Sequence, residues 1–240
     1  MIVIPARWAS TRFPGKPLAL IAGVSLIQRV YDRARTSARA TAVYVATDDD
    51  RILEHVRGFG GNVVRPEGDF ATGTDRIAAA LPLIEAQEGA PFDVIVNVQG
   101  DEPLIDMSSV DALIERLETT PSGMATLACP LESDEELHAR DVVKVVTDSV
   151  GNALYFSRAA IGSKEVSSRH IGVYAYRRAV LERFVALEPA PLEQAESLEQ
   201  LRALQHGFRI AVARTAKPHL GVDRPEDVAR VESELGKMHA

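Results

Sequence analysis

The chain has 240 residues, 46% of them hydrophobic and 25% charged, enough material for a buried core in one large domain or two small ones. Its formal net charge of −7 excludes a general binder of nucleic acid or anionic membrane, because counterion release needs surplus positive charge. Any anionic ligand must therefore be met at a local site. The single cysteine, Cys129, rules out an intrachain disulfide and reads as a core residue of the apolar stretch Met124 to Pro130. No apolar stretch approaches the roughly 18 residues of a membrane span, and no basic region leads into one. The expectation is a soluble, cytoplasmic protein.

Ile2–Ile4 predicts a first strand, and the loop directly after it carries Arg7, Arg12 and Lys16 among Pro14, Gly15 and Pro17. A polyphosphate beyond the carboxyl end of a parallel strand needs such cations and close backbone approach. The spacing matches neither the P-loop nor the dinucleotide fingerprint, and solvated surface is an equal reading of charge alone. Leu26, Ile27, Val30, Tyr31 and Ala34 form a helical stripe, followed by a strand over Ala42–Ala46. Asp48-Asp49-Asp50 reads as capping for the next stripe, Ile52, Leu53, Val56 and Phe59, which stops at Gly60-Gly61. Strands over Asn62–Val64 and Asp93–Val98 complete an alternation that favours parallel βαβ units. The last of them delivers Asp101 within Gln99-Gly100-Asp101-Glu102-Pro103, where a divalent cation beside phosphates needs an acid. A turn carboxylate or helix cap fits that position as well. Val110, Leu113, Ile114 and Leu117 mark a further helix.

The second half predicts strands over Met124–Cys129, Val142–Thr147, Ala153–Phe156, Ile171–Tyr176 and Arg209–Ala213, with fewer helices between them and hence some antiparallel or mixed pairing. One strong helix is expected over Leu192–Gln205, ended by Gly207, and another over Pro225–Leu235. Asp223 offers a second carboxylate just before the last helix, where Pro225 suits N1 and Asp227 the first turn. His55 and His138 read as structural or exposed. Tyr174 and Tyr176 are expected on opposite faces of their strand, so that only one of them reaches a site on a given face. One α/β domain over 1–240 is expected, in two halves of about 1–122 and 123–240.

Pro5-Ala6-Arg7, Ser10-Thr11-Arg12, Pro14-Gly15-Lys16-Pro17, Thr72-Gly73-Thr74-Asp75-Arg76, Val96 to Pro103, Ala153 to Arg158, Arg169 to Tyr174, Leu198 to Arg202 and Gly221-Val222-Asp223 occur in order along nearly the whole chain. Together they resemble the 3-deoxy-D-manno-octulosonate (KDO) cytidylyltransferases, the CMP-KDO synthetase family. The resemblance implies a Rossmann-like, glycosyltransferase-A-like nucleotidyltransferase with a mostly parallel central sheet and a smaller mixed or antiparallel subregion. It implies transfer of CMP from CTP to KDO for lipopolysaccharide biosynthesis, with Mg2+ as cofactor and a homodimer as assembly.

By matching position, Arg7, Arg12 and Lys16 hold the CTP phosphates beside Pro5 and Ala6, while Thr72, Gly73 and Arg76 lie against the cytidine. The resemblance also implies that Asp101 and Asp223 bind Mg2+, and that Gln99, His170, Tyr174, Glu199 and Gln200 line the acid-sugar pocket with Arg158 beside them. The alternatives are another acid sugar, amino-substituted KDO or sialic acid, and a catalytically silent nucleotide-binding module. Two departures stand out. Only Ala159 to Ser168 separates Arg158 from Arg169, where the family usually carries a longer, proline-containing loop. Arg224 takes the place of a hydroxyl residue, removing a good N-cap before Pro225.

Overall fold

The computed structural model describes residues 1–9, 12–216 and 218–238, so Ser10 and Thr11 of the opening motif lie outside the described residues. By its contacts the chain divides into two compact units, residues 1–108 with 219–240 and residues 109–218. The last residues thus return to the first unit instead of closing the second half.

In the first unit, strands β1 (Ile2–Ala6), β4 (Val43–Thr47), β5 (Val63–Val64) and β6 (Val94–Asn97) run parallel in the order β6-β1-β4-β5. They are β-branched and buried on both faces, as parallel strands covered by helices must be. The stripe Leu26, Ile27, Val30, Tyr31 and Ala34 is the buried face of α1 (Leu26–Ala34), whose N-cap Ser25 accepts from the amide of Gln28. Between them, β2 (Leu20–Ile21) and β3 (Val24–Ser25) form a hairpin turning through Ala22 and Gly23, both at positive φ. Ala22 is costly there, and its amide is held by Glu232 Oε1 at 2.7 Å from α9 (Asp227–Met238). Asp49 caps α2 (Asp50–Gly58), as the acidic run suggests, but Asp48 does not cap; it holds Arg76 instead.

Helix α3 (Gly73–Glu88) has no counterpart among the expected elements. Pro82 inside it withholds one intrahelical donor, and its apolar residues are poorly segregated, which masks the period. Its start was legible as a reciprocal cap: Thr72 accepts from Asp75 N while Asp75 accepts from Thr72 N.

In the second unit, β7 (Met124–Pro130) pairs antiparallel with β10 (Ser168–Arg177) and parallel with β11 (Ile210–Arg214). Strand β8 (Lys144–Thr147) pairs antiparallel with β10 and with β9 (Ala153–Ser157), giving the mixed subregion the sequence suggests. The stripe Val110, Leu113, Ile114 and Leu117 is buried on α4 (Met107–Glu118). Short helices α5 (Asp134–His138) and α6 (Arg178–Val185) were not anticipated.

Two expectations are corrected. The helix expected over Leu192–Gln205 is two, α7 (Pro191–Glu196) and α8 (Gln200–Gln205), broken where Ser197 takes φ 54°, ψ 48°. Tyr174 and Tyr176 share a face and their rings stack at 6.1 Å, because residues two apart on a strand point the same way.

Across the break, Glu193 makes two bonds to Arg202, Oε1 from Nη2 at 2.8 Å and Oε2 from Nε at 2.9 Å, with both side chains mostly buried. Removing one partner of such a pair leaves a buried charge uncompensated. Glu193→Gln is expected to lower unfolding free energy by about 3 kcal/mol, read as a shift of the urea midpoint.

Candidate functional site

Parallel β1 and β6 send their following loops from the same edge of the sheet. The contact between these loops is close: a Cβ at Gly100 would lie 3.0 Å from the Pro5 carbonyl oxygen, and one at Gly73 would lie 3.1 Å from Pro5 Cγ. Pro5 is therefore pressed between the loop carrying Gln99 to Asp101 and the N-terminus of α3. Ala6 is buried beside it at the end of β1. Arg76, on the first turn of α3, is buried; its Nη2 donates to Asp48 at 2.7 Å and its guanidinium faces the Phe70 ring at 5.4 Å. Its Nε is buried without a hydrogen-bond partner among the described residues.

The cationic loop is braced by its aromatic residue. The Arg51 guanidinium lies 3.5 Å over the Trp8 ring, and Arg51 is itself held by Asp49 at 2.6 Å. The bond to Arg51 keeps the Asp49 carboxyl below its usual range. A Cβ at Gly15 would come within 3.1 Å of Trp8, and Gly15 has φ 70°, so glycine is required where the chain turns into Lys16.

Lys16 joins the two distant acids. Its ammonium lies 2.7 Å from Asp101 Oδ2, 3.0 Å from the Val222 carbonyl and 3.7 Å from Asp223 Oδ1. Arg12 Nη1 lies 3.4 Å from Asp223 Oδ2 in an exposed pair, while Arg7 is exposed and makes no ion pair among the described residues. Asp223 is delivered by a segment laced to the Asp101 loop: Val222 N donates to Asp101 O at 2.8 Å, and His219 Nδ1 meets Glu102 Oε2 at 3.1 Å in a buried contact. The cap lost at Arg224 is replaced by Asp227, whose Oδ2 accepts from the amides of Asp223 and Arg224 at 2.9 Å each. Burial pushes the Asp227 carboxyl up, but these amides outweigh it and hold it below the usual range.

Hard oxygen donors at Asp101 and Asp223 fit a divalent cation that takes further ligands from phosphates. Among the described residues no third acid or histidine completes a preformed metal cluster.

Of the six residues assigned to the acid sugar, Gln99 lies in the first unit, with Nε2 3.3 Å from Asn97 Oδ1, and five lie in the second. There His170 packs edge-on against Phe156 at 4.9 Å and beside Tyr174 at 5.5 Å, and its Nε2 lies 2.9 Å from Thr126 Oγ1. Thr126 Oγ1 also lies 2.9 Å from the Val173 carbonyl and 3.2 Å from the Ile171 carbonyl, two further acceptors for its single proton. Burial lowers the His170 pKa to about 3, so the ring is neutral. Burial, with Tyr176 and Glu199 adding to it, raises the Tyr174 phenol well above its usual value. Glu199 lies 3.5 Å from Arg202, and Gln200 is 4% exposed with its Nε2 unpartnered among the described residues. Arg158 spends Nε and both terminal nitrogens on the carbonyls of Glu196, Arg140 and Ser197.

The sequence reading missed the His219–Glu102 contact, the Trp8–Arg51 brace, Thr126, Lys144 and Glu196. Glu102 sits inside a quoted motif and was the one visible signal. Trp8, Thr126 and Glu196 act through partners far away in sequence, while Lys144 also reaches the nearby carbonyls of Ala139 and Val142.

A parallel nucleotide-type sheet whose loops gather cations around two carboxylates defines an α/β nucleotidyltransferase class. The family model described as Cytidylyltransferase matches residues 1–210, and the chain belongs to that family. It is 50% identical, over 97% of each chain, to the 3-deoxy-manno-octulosonate cytidylyltransferase of Syntrophotalea carbinolica. It is 47% identical, over 98% of this chain and 97% of the other, to the 8-amino-3,8-dideoxy-manno-octulosonate cytidylyltransferase of Shewanella sediminis. The solved structure of a CMP:2-keto-3-deoxy-manno-octonic acid synthetase complexed with CTP matches with TM-score 0.90 and 39% identity, covering 99% of this chain and 98% of that one.

The depressed His170 pKa sets a pH dependence. Below about pH 6.5 the unfolded chain binds a proton at this ring and the folded chain does not, so stability is full above 6.5 and falls as pH drops towards 3. The slope from this residue approaches about 1.4 kcal/mol per pH unit. Between pH 6.5 and 5, His170→Gln should lose stability less steeply than the native protein in parallel denaturation series.

Proposed function

We propose that this protein transfers CMP from CTP to KDO, giving CMP-KDO and pyrophosphate, with Mg2+ as cofactor. The observation that carries the reading is Lys16 bridging Asp101 and Asp223. The relatives named for this reaction, alike over nearly their full length, support the choice of substrates. The family resemblance supports a homodimer, and the ordinary composition and soluble substrates support a cytoplasmic setting.

A hydroxyl oxygen of the sugar must attack the α-phosphorus while the bond to the β-phosphate oxygen breaks and pyrophosphate leaves. Arg7, Arg12 and Lys16 screen the anionic triphosphate and offset charge growing on the leaving group. The start of α3, where Gly73 lets the backbone come close, lies on the cytidine side, and the unpartnered Nε of Arg76 offers a donor there. When a triphosphate draws the Lys16 ammonium away, Asp101 and Asp223 are left as two oxygen donors for the cation. A cation held by these two residues would supply Lewis-acid chemistry, drawing charge from the α-phosphate and lowering the pKa of the sugar hydroxyl. In the second unit, neutral His170, the Tyr174 phenol, Glu199, Gln200 and the two spare N–H groups of Arg158 orient the acid sugar. No histidine is required as a general base.

A second reading takes 8-amino-substituted KDO as acceptor, which the Shewanella sediminis relative favours. Pyrophosphate release across a panel of nucleotides and acid sugars tests both: CTP with KDO should give the highest kcat/KM, and no release from any sugar acid would refute the transferase reading. Asp101→Asn should cut turnover more than about tenfold, or about 1.4 kcal/mol of barrier, with the fold retained. An unimpaired Asp101→Asn enzyme refutes the metal assignment.

A further inference from the structure

Residues 191–205 are rich in helix formers, yet the chain breaks their helix at Ser197 and places a non-glycine residue at positive φ there. Such a conformation persists only where surrounding contacts impose it. The contacts come from Glu196. Its Oε1 accepts from Ser157 Oγ and its Oε2 from the Arg158 amide, each at 2.9 Å. Its own carbonyl accepts from Arg158 Nε at 2.9 Å, and the next carbonyl, Ser197 O, accepts from Arg158 Nη2 at 3.4 Å. From the other side, buried Lys144 donates to Arg158 O at 2.7 Å, and to Val142 O and Ala139 O as well. Both main-chain groups of Arg158 and three of its five side-chain N–H groups are thereby fixed, and two N–H groups are left over.

We infer that Glu196 is a positioning residue for the acid-sugar end of the site. It ties the end of β9 to the α7–α8 break, aims the two spare donors of Arg158, and sets where Glu199 and Gln200 begin the next helix. A guanidinium meets a carboxylate well only when its planar fork is aligned, so the clamp matters for a sugar acid and not for the nucleotide. The unpartnered Nε2 of buried Gln200 is a second sign that this break is built towards a ligand. The inference rests on the reading that Arg158, Glu199 and Gln200 meet the acid sugar.

The test uses the full chain with CTP, KDO and Mg2+, measuring kcat and both KM values by pyrophosphate release, with thermal melting alongside. Glu196→Ala should raise KM for KDO by about tenfold or more and leave KM for CTP within about twofold. Glu196→Gln should fall between it and the native protein, because an amide oxygen can keep one of the two accepted bonds. That variant carries the test if the alanine form does not fold. A KM for KDO within about twofold of native in folded variants, or equal rises in both KM values tracking the loss of melting temperature, overturns the inference. Arg158→Ala separates the two levels. If it leaves KM for KDO unchanged, the sugar-site reading fails and takes the inference with it. If it raises KM for KDO while Glu196→Ala does not, only the positioning role of Glu196 fails.

Discussion

Two carboxylates separated by more than a hundred residues converge on one ammonium, and the first unit is organised around that meeting. Asp101 and Asp223 would repel each other in a partly dehydrated loop cluster without a cation between them, and Lys16 supplies it. Each side chain arrives by a different route: Lys16 through the left-handed Gly15, Asp101 through the tight passage of Gly100 over Pro5, and Asp223 through a segment tied at Val222 and His219. The ion pair thus gives Lys16 a structural reason for its place on the cationic loop. It also explains why the C-terminal segment returns to the first unit.

The second unit solves a different electrostatic problem. It keeps polar groups poised among aromatic rings, from Phe156 through His170, Tyr174 and Tyr176 to Phe184. In that setting the imidazole stays neutral and the phenol stays protonated, so both act as fixed hydrogen-bonding groups and not as charges. The charged residues there are paired off: Arg202 with Glu193, Arg158 with main-chain carbonyls, Lys144 with three carbonyls. Burial lowers the Lys144 pKa, and its full set of acceptors is what offsets the cost of holding that group inside.

Much of this was legible in the sequence because strand and helix periods are local. The β-branched runs and the stripes of α1, α2 and α4 appear as expected, and the ordered motifs single out Lys16, Asp101 and Asp223. The failures were of two kinds. Pro82 hid α3, and a misapplied period put Tyr174 and Tyr176 on opposite faces. The rest was tertiary: nothing within residues 191–205 predicts a break at Ser197, because the clamp comes from Ser157 and Arg158. Likewise Asp48 reads as one of three capping acids until Arg76, on α3, is seen to take it.

The central claim is that Lys16 neutralises the same two carboxylates that we propose as ligands of a divalent cation. The most direct test is Mn2+ titration of the nucleotide-free protein, followed by electron paramagnetic resonance of the free ion. Lys16→Met should bind Mn2+ at least about tenfold more tightly than the native chain, with the gain abolished by adding Asp223→Asn. Equal or weaker binding by folded Lys16→Met would contradict the account.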